Sequence, residues 1–150
     1  MSTIEVGELL YEVTVKVTAM TEYGVSLASL MSGEAPPLGG ARFDVAFEGT
    51  SNGPKLKGKV TGVDYVRIRA DGRFQLHIHA EITAEDGQKI ALHANGVALP
   101  RQGSTIADLR ENVTLFSSSK DYTWVNALQV WGIGTVDLAQ QVIQLKAYAA

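Results

Sequence analysis

The stretch VDYVRIRADGRFQLHIHAEITAEDGQKIALHANGV, residues 63–97, decides how the chain folds. It contains two Asp-Gly steps, Asp71-Gly72 and Asp86-Gly87, between runs that alternate apolar and polar residues. Alternation with period two marks a strand with one buried face, and Asp-Gly marks a hairpin turn. Two registers compete. A two-residue loop at each turn pairs Asp64 with His79, but it mixes Val66 and Ile68 with Gln75 and His77 on one face. A three-residue loop, Ala70-Asp71-Gly72 and Glu85-Asp86-Gly87, has glycine in the left-handed bulge position. That register gathers Val66, Ile68, Phe74, Leu76, Ile78, Ala80, Ile82, Ile90, Leu92 and Ala94 on one side. Arg67, Arg69, Gln75, His77, His79, Glu81, His93 and Asn95 fall on the other. A slip of one residue turns every side chain over, so coherent faces favour the bulged register.

The same signals extend outward. Tyr11 to Val17 and Arg42 to Glu48 alternate, and further strands are expected over Lys55–Val60, Val63–Ala70, Phe74–Ile82 and Lys89–Val97. Arg110–Ser117, Leu128–Val136 and Val142–Tyr148 complete the set. Short strands with regular turns and no helical period between them predict an all-β domain of about eight or nine strands, a sandwich or, preferred, a small antiparallel β-barrel. Met20 to Met31 is compatible with a strand or one short helix, and Ser32 to Gly40 reads as a loop at one barrel end. No composition break divides residues 1–150, so a single barrel domain is expected.

Composition narrows the function classes. The 150 residues are 45% hydrophobic and 19% charged, as in a globular chain, and contain no cysteine to pair. A net charge of −3 opposes a nucleic-acid partner, and Lys55, Lys57 and Lys59 lack interleaved aromatics for base stacking. Met1 to Leu10 has neither a basic start nor an apolar run, and no segment approaches a membrane span, so the cytoplasm is the default expectation.

Several fixed points resemble a known pattern. They are Gly40-x-Arg42, Gly49, Gly53-Pro54-x-Leu56-x-Gly58, Gly62-x-Asp64-Tyr65, Asp71-Gly72, Asp86-Gly87, Gly96, Arg110 and Tyr122-x-Trp124-x-Asn126. In order and spacing they resemble the domain-of-unknown-function family 3237 over nearly the whole chain. The resemblance implies a barrel shaped like allene oxide cyclase and the dirigent proteins, which act on apolar small molecules without a metal or organic cofactor. Where that family tends to carry Asp and Arg followed by Tyr on the central strand, this chain has His77, His79 and Ala80.

Asp64 is the first candidate for chemistry. The bulged register puts it on the apolar face, where burial raises a carboxyl pKa toward general acid–base use. The alternative is a strand-end aspartate bonding a loop backbone beside Gly62. Arg42, Arg110 and Tyr122 are candidates to anchor or polarise a carbonyl or carboxylate, with Trp124 and Asn126 as substrate contacts. Against this, Trp124 reads more readily as a plug for the barrel end, and Arg110 as a structural partner of Asp121 or another acid. His77, His79 and His93 share a sheet face with metal-ligand spacing, Glu81 continuing it; a polar outer face or a subunit contact is the preferred explanation. Ser117-Ser118-Ser119 and Gly132-Ile133-Gly134 lack the context of a hydrolase elbow or a phosphate loop.

Two functions are then open. One is a cofactor-free isomerase, cyclase or lyase acting on an apolar or aromatic carbonyl or carboxylate compound. It requires a cavity of about 300 Å3 or more reaching Asp64. The other is a non-enzymatic ligand-binding or homo-oligomerising module that assembles through the histidine face with a pH dependence near the imidazole pKa of about 6.5.

Overall fold

The computed structural model describes residues 5–150, so the first four residues of the N-terminal segment lie outside it. Alternation produces eight strands: β1 (Leu9–Glu22), β2 (Ala41–Pro54), β3 (Lys57–Ile68), β4 (Phe74–Ala84), β5 (Lys89–Pro100), β6 (Ile106–Phe116), β7 (Val130–Asp137) and β8 (Val142–Ala149). Each pairs antiparallel with the next, and β8 closes on β1 to make a barrel. Closure leaves no free sheet edge. Among the described residues no helix is long and apolar enough to cross a membrane.

The bulged register is the one adopted. Ile68 faces Phe74 and Asp64 faces Ile78 across β3–β4, while His79 faces His93 across β4–β5. Gly72 N–H bonds to Arg69 O and Gly87 N–H to Ala84 O, closing both three-residue loops. The two glycines sit at φ +88° and +85°, the left-handed conformation that a side chain disfavours.

One expectation is corrected here. Lys55–Val60 and Val63–Ala70 are one continuous strand, β3, rather than two. Gly62 between them is not a turn: a Cβ there would lie 2.5 Å from the Ala80 Cβ, so it marks close approach of β3 to β4. The Met20–Met31 stretch contains both alternatives, with β1 running to Glu22 and a short helix, α1 (Leu27–Met31), following. Ser26 caps that helix by accepting the Ser29 N–H.

The interior rows of the strands form the core. Phe43, Val60, Ile68, Ile82, Ile90, Ala94, Val113, Val130 and Ala147 are buried in it. At one end a 3-10 turn, Thr123–Ala127, sets the fully buried Val125 against the core, with Tyr122 and Leu128 packed beside it. At the other end Leu27 and Leu30 of α1 pack on the core beneath the β1–β2 connection. An eight-stranded barrel is just wide enough for side chains to fill or for one small ligand. Here small residues on the inner rows, Ala80 and Ala98 among them, keep it from filling completely.

Candidate active site: an acid pair inside the barrel

The lumen holds a cavity of about 130 Å3 walled by Val15, Phe43, Phe47, Val66, Ile78, Leu109 and other hydrocarbon side chains. Four polar side chains reach its wall: Tyr11 from β1, Asp64 from β3, Glu111 from β6 and, from the β7–β8 connection, the exposed Gln141. Phe43, Phe47 and Phe74 line the space without filling it.

Asp64 lies mid-strand, and its half-buried side chain faces the lumen rather than bulk water. Its Oδ1 accepts the backbone N–H of His77 at 3.0 Å. The β3–β4 ladder is unpaired at just this step, resuming at Arg67 and Gln75, so the carboxylate takes a donor that the ladder leaves free. The strand-end alternative is therefore corrected: the bonded backbone belongs to a neighbouring strand, not to a loop. Burial raises the Asp64 pKa to about 6, against the lowering effect of that N–H.

Glu111 is 9% exposed and sits in the inner row Ala107-x-Leu109-x-Glu111-x-Val113-x-Leu115. Burial first, and the charge of Asp64 second, push its pKa up to about 8. The register links it to Tyr11 around the wall through Gly132 and Ala147. Tyr11 is fully buried and its hydroxyl has no hydrogen-bond partner among the described residues. Burial and the nearby Glu111 hold that phenol well above its ordinary range. Near pH 7 the site thus has one carboxyl predominantly ionised, one predominantly protonated, and an uncommitted hydroxyl.

The other expected site residues are elsewhere. Arg42 projects from the outer face, where its Nε bonds to Asp44 Oδ1 at 3.0 Å and its guanidinium lies over the Tyr23 and Tyr65 rings. Hydrogen bonds from Arg42 and Tyr23 hold Asp44 below the usual carboxylate range. Arg110 also points outward, between inward Leu109 and Glu111, and donates to the Leu109 carbonyl at 2.8 Å rather than to Asp121. Tyr122 reaches Asp86 at 3.3 Å at the closed end. Trp124 is 40% exposed and donates to the Asp121 carbonyl, so its neighbour Val125, not Trp124, plugs the barrel. Asn126 binds both the N–H and the C=O of Ser117, a clamp between the 3-10 turn and β6. None of these five lines the cavity with Asp64.

The histidines lie on the outside of the same wall. His77 and His79 approach at 3.1 Å between Nε2 atoms, and the His79 and His93 ring centroids are 4.8 Å apart. Partial burial and the charges of His79 and His77 lower the His93 pKa. Glu81 is held by Lys89 Nζ at 2.7 Å.

With the barrel and its acid pair described, comparison with known proteins places the chain. The model of a family described as protein of unknown function, DUF3237, matches residues 8–150. The chain belongs to the DUF3237 family. No curated protein matches it. The DUF3237 barrel is similar to several solved structures. One from Clostridium acetobutylicum, of unknown function, is 21% identical with a TM-score of 0.78, covering 95% of this chain and 96% of that one. A β-barrel-like protein of Acinetobacter baumannii is 19% identical with a TM-score of 0.77, covering 99% and 97%. An enzyme from Penicillium herquei is 19% identical with a TM-score of 0.61, covering 99% and 98%. These likenesses establish the barrel fold of this DUF3237 member.

Glu111 and Tyr11 were not singled out by sequence. The signal for Glu111 was present: starting β6 at Ile106 instead of Arg110 makes it the single charge in an otherwise apolar inner row. Tyr11 begins an apolar row with Val13 and Val15, and nothing local distinguishes it from a core tyrosine.

Proposed function

We propose that the barrel catalyses proton transfer on a small apolar carbonyl compound, without an external oxidant or reductant. The observation that carries the reading is that two carboxyls, Asp64 and Glu111, and the Tyr11 hydroxyl face one apolar cavity, where burial raises the carboxyl pKa values to about 6 and about 8. Carboxyls pushed apart in this way serve as base and acid at one pH. Asp64, as carboxylate, takes a proton from the carbon beside the carbonyl. Glu111, as neutral acid, donates to the oxygen as the enolate develops, and the free Tyr11 hydroxyl is a second donor. Returning the proton to a different atom isomerises the compound. Closing or breaking a bond from the enolate makes the same site a cyclase or lyase. Arg42, Arg110 and Tyr122 have no part in this scheme because they do not reach the cavity.

The cavity also bounds the substrate. At about 130 Å3 it falls short of the roughly 300 Å3 that the sequence reading required of an enzyme cavity, so the proposed chemistry holds only for a substrate smaller than that expectation assumed. It approaches the roughly 150 Å3 that accommodates one benzene ring. A single ring or short enone fits beside Asp64, with any remainder toward Leu27, Met20 and Leu138 at the α1 end. The barrel shape implied by the family resemblance, with relatives acting on apolar compounds, supports the same class.

The test needs no knowledge of the natural product. A panel of cyclic enones and aryl ketones is incubated with protein in D2O, and deuterium uptake beside the carbonyl is followed by NMR. Wild-type protein is expected to accelerate exchange with a bell-shaped profile, rising through about pH 6 and falling above about pH 8. Binding of panel members that wild type and Asp64→Asn exchange equally slowly would favour a passive ligand carrier instead.

A further inference from the structure

We propose that His77, His79 and His93 form a mononuclear site for a divalent transition metal of the zinc type on the outer wall of the barrel. The three residues come from two adjacent strands: alternation puts His77 and His79 on one face of β4, and the register sets His93 of β5 opposite His79. All three are exposed, and their ligating nitrogens lie within 4.8 Å of one another.

The spacing matches what an ion demands. Zinc holds imidazole nitrogens at about 2.0–2.1 Å, which puts two such nitrogens about 3–3.4 Å apart. The Nε2 atoms of His77 and His79 are already 3.1 Å apart. His93 needs only a side-chain rotation, since its ring centroid is 5.3 Å from that of His77 and 4.8 Å from that of His79. The edge of the Tyr65 ring packs on both His77 and His79, at 6.4 and 6.0 Å between centroids, limiting how far those rings swing away.

Donor chemistry selects the metal. The nearest carboxylate on the face, Glu81, is engaged by Lys89, so the set is three neutral nitrogens. Imidazoles without carboxylates suit zinc, nickel or copper, whereas magnesium and calcium require oxygen ligands. Three protein ligands leave a fourth position to water. His77 and His79 also line a hollow shared with Arg42, Arg67 and Arg73. Among the described residues Arg67 and Arg73 have no carboxylate partner, whereas Arg42 is paired with Asp44. These cations oppose a bare dication weakly, through screening solvent, and favour an anion such as a carboxylate exchanging with the metal-bound water.

The experiment is calorimetric titration of zinc chloride into untagged, chelator-treated protein. One equivalent is expected to bind. His79→Gln and His93→Gln should each weaken it about a hundredfold or more, since even outer contacts to metal ligands are worth 10–100-fold. Thermal unfolding should move upward with zinc in wild type and stay fixed in the His77→Gln, His79→Gln, His93→Gln triple variant. Failure of wild type to bind a saturable equivalent overturns the proposal. So does an equivalent that survives in the triple variant, or half an equivalent accompanied by dimer formation. The side chains are exposed, so the variants retain the barrel and remain informative.

Discussion

On the inner wall of the barrel Asp64 stands among hydrocarbon and burial raises its pKa to about 6. On the outer wall Asp44, one strand over, is bonded by Arg42 and Tyr23 and titrates below the usual range. The two aspartates are chemically identical, and only the face of the sheet differs. The same division separates Glu111, buried and raised to about 8, from Glu81, exposed and paired with Lys89. Alternation along a strand thus does more than sort apolar from polar. It gives one short sequence two chemistries, an acid pair in an apolar lumen and a histidine cluster on the exposed face. Their meeting point is His77, whose backbone N–H holds Asp64 while its imidazole joins the outer cluster.

Variants that blur the inner face should have the largest effects. Asp64→Asn keeps an oxygen for the His77 N–H but removes the base, so deuterium exchange is expected to fall about 10²–10⁴-fold while thermal stability holds. Unchanged exchange would remove Asp64 from the chemistry. Glu111→Gln addresses stability. A carboxyl whose folded pKa is raised costs nothing below its unfolded value. As pH climbs through the window from there to the folded pKa, the unfolded chain loses its proton first and native stability declines. For Glu111 that window runs from 4.5 to about 8. Relative to wild type, Glu111→Gln should therefore gain stability between pH 4 and pH 9, by roughly 3–5 kcal/mol, in chemical denaturation. A difference that does not change with pH would mean the carboxyl is solvated. Tyr11→Phe should give the smallest change. It deletes a buried hydroxyl without a partner, so the barrel is expected to gain about 1 kcal/mol while exchange slows. A loss of stability would show that the hydroxyl is bonded in solution.

The comparison also explains what could be read from sequence. The Asp-Gly loops and coherent faces specify register over residues 63–97, and register alone put Asp64 inside and the three histidines outside. Tertiary information was needed where period two gives no answer. Arg42 and Arg110 are not such a case: they stand at family-like positions, but each sits between inward-facing neighbours, so alternation alone directs it outward. Trp124 and Val125 adjoin in a 3-10 turn, where no alternation says which one enters the barrel. Glu111 was legible in principle, and was missed because β6 starts four residues earlier than its strongest β-forming run suggests. Its proximity to Tyr11, by contrast, depends on closure of the barrel through β7 and β8, a contact no local pattern encodes.

The most direct check is a titration of the side-chain carboxyl carbons by 13C NMR, with Asp64→Asn and Glu111→Gln used to assign the two signals. The acid pair requires an Asp64 midpoint near 6 and a Glu111 midpoint near 8, with the latter falling when Asp64 is neutralised. Midpoints for both near the ordinary values of 3.8 and 4.5 would mean that water reaches them freely, and the interior would hold no acid–base site.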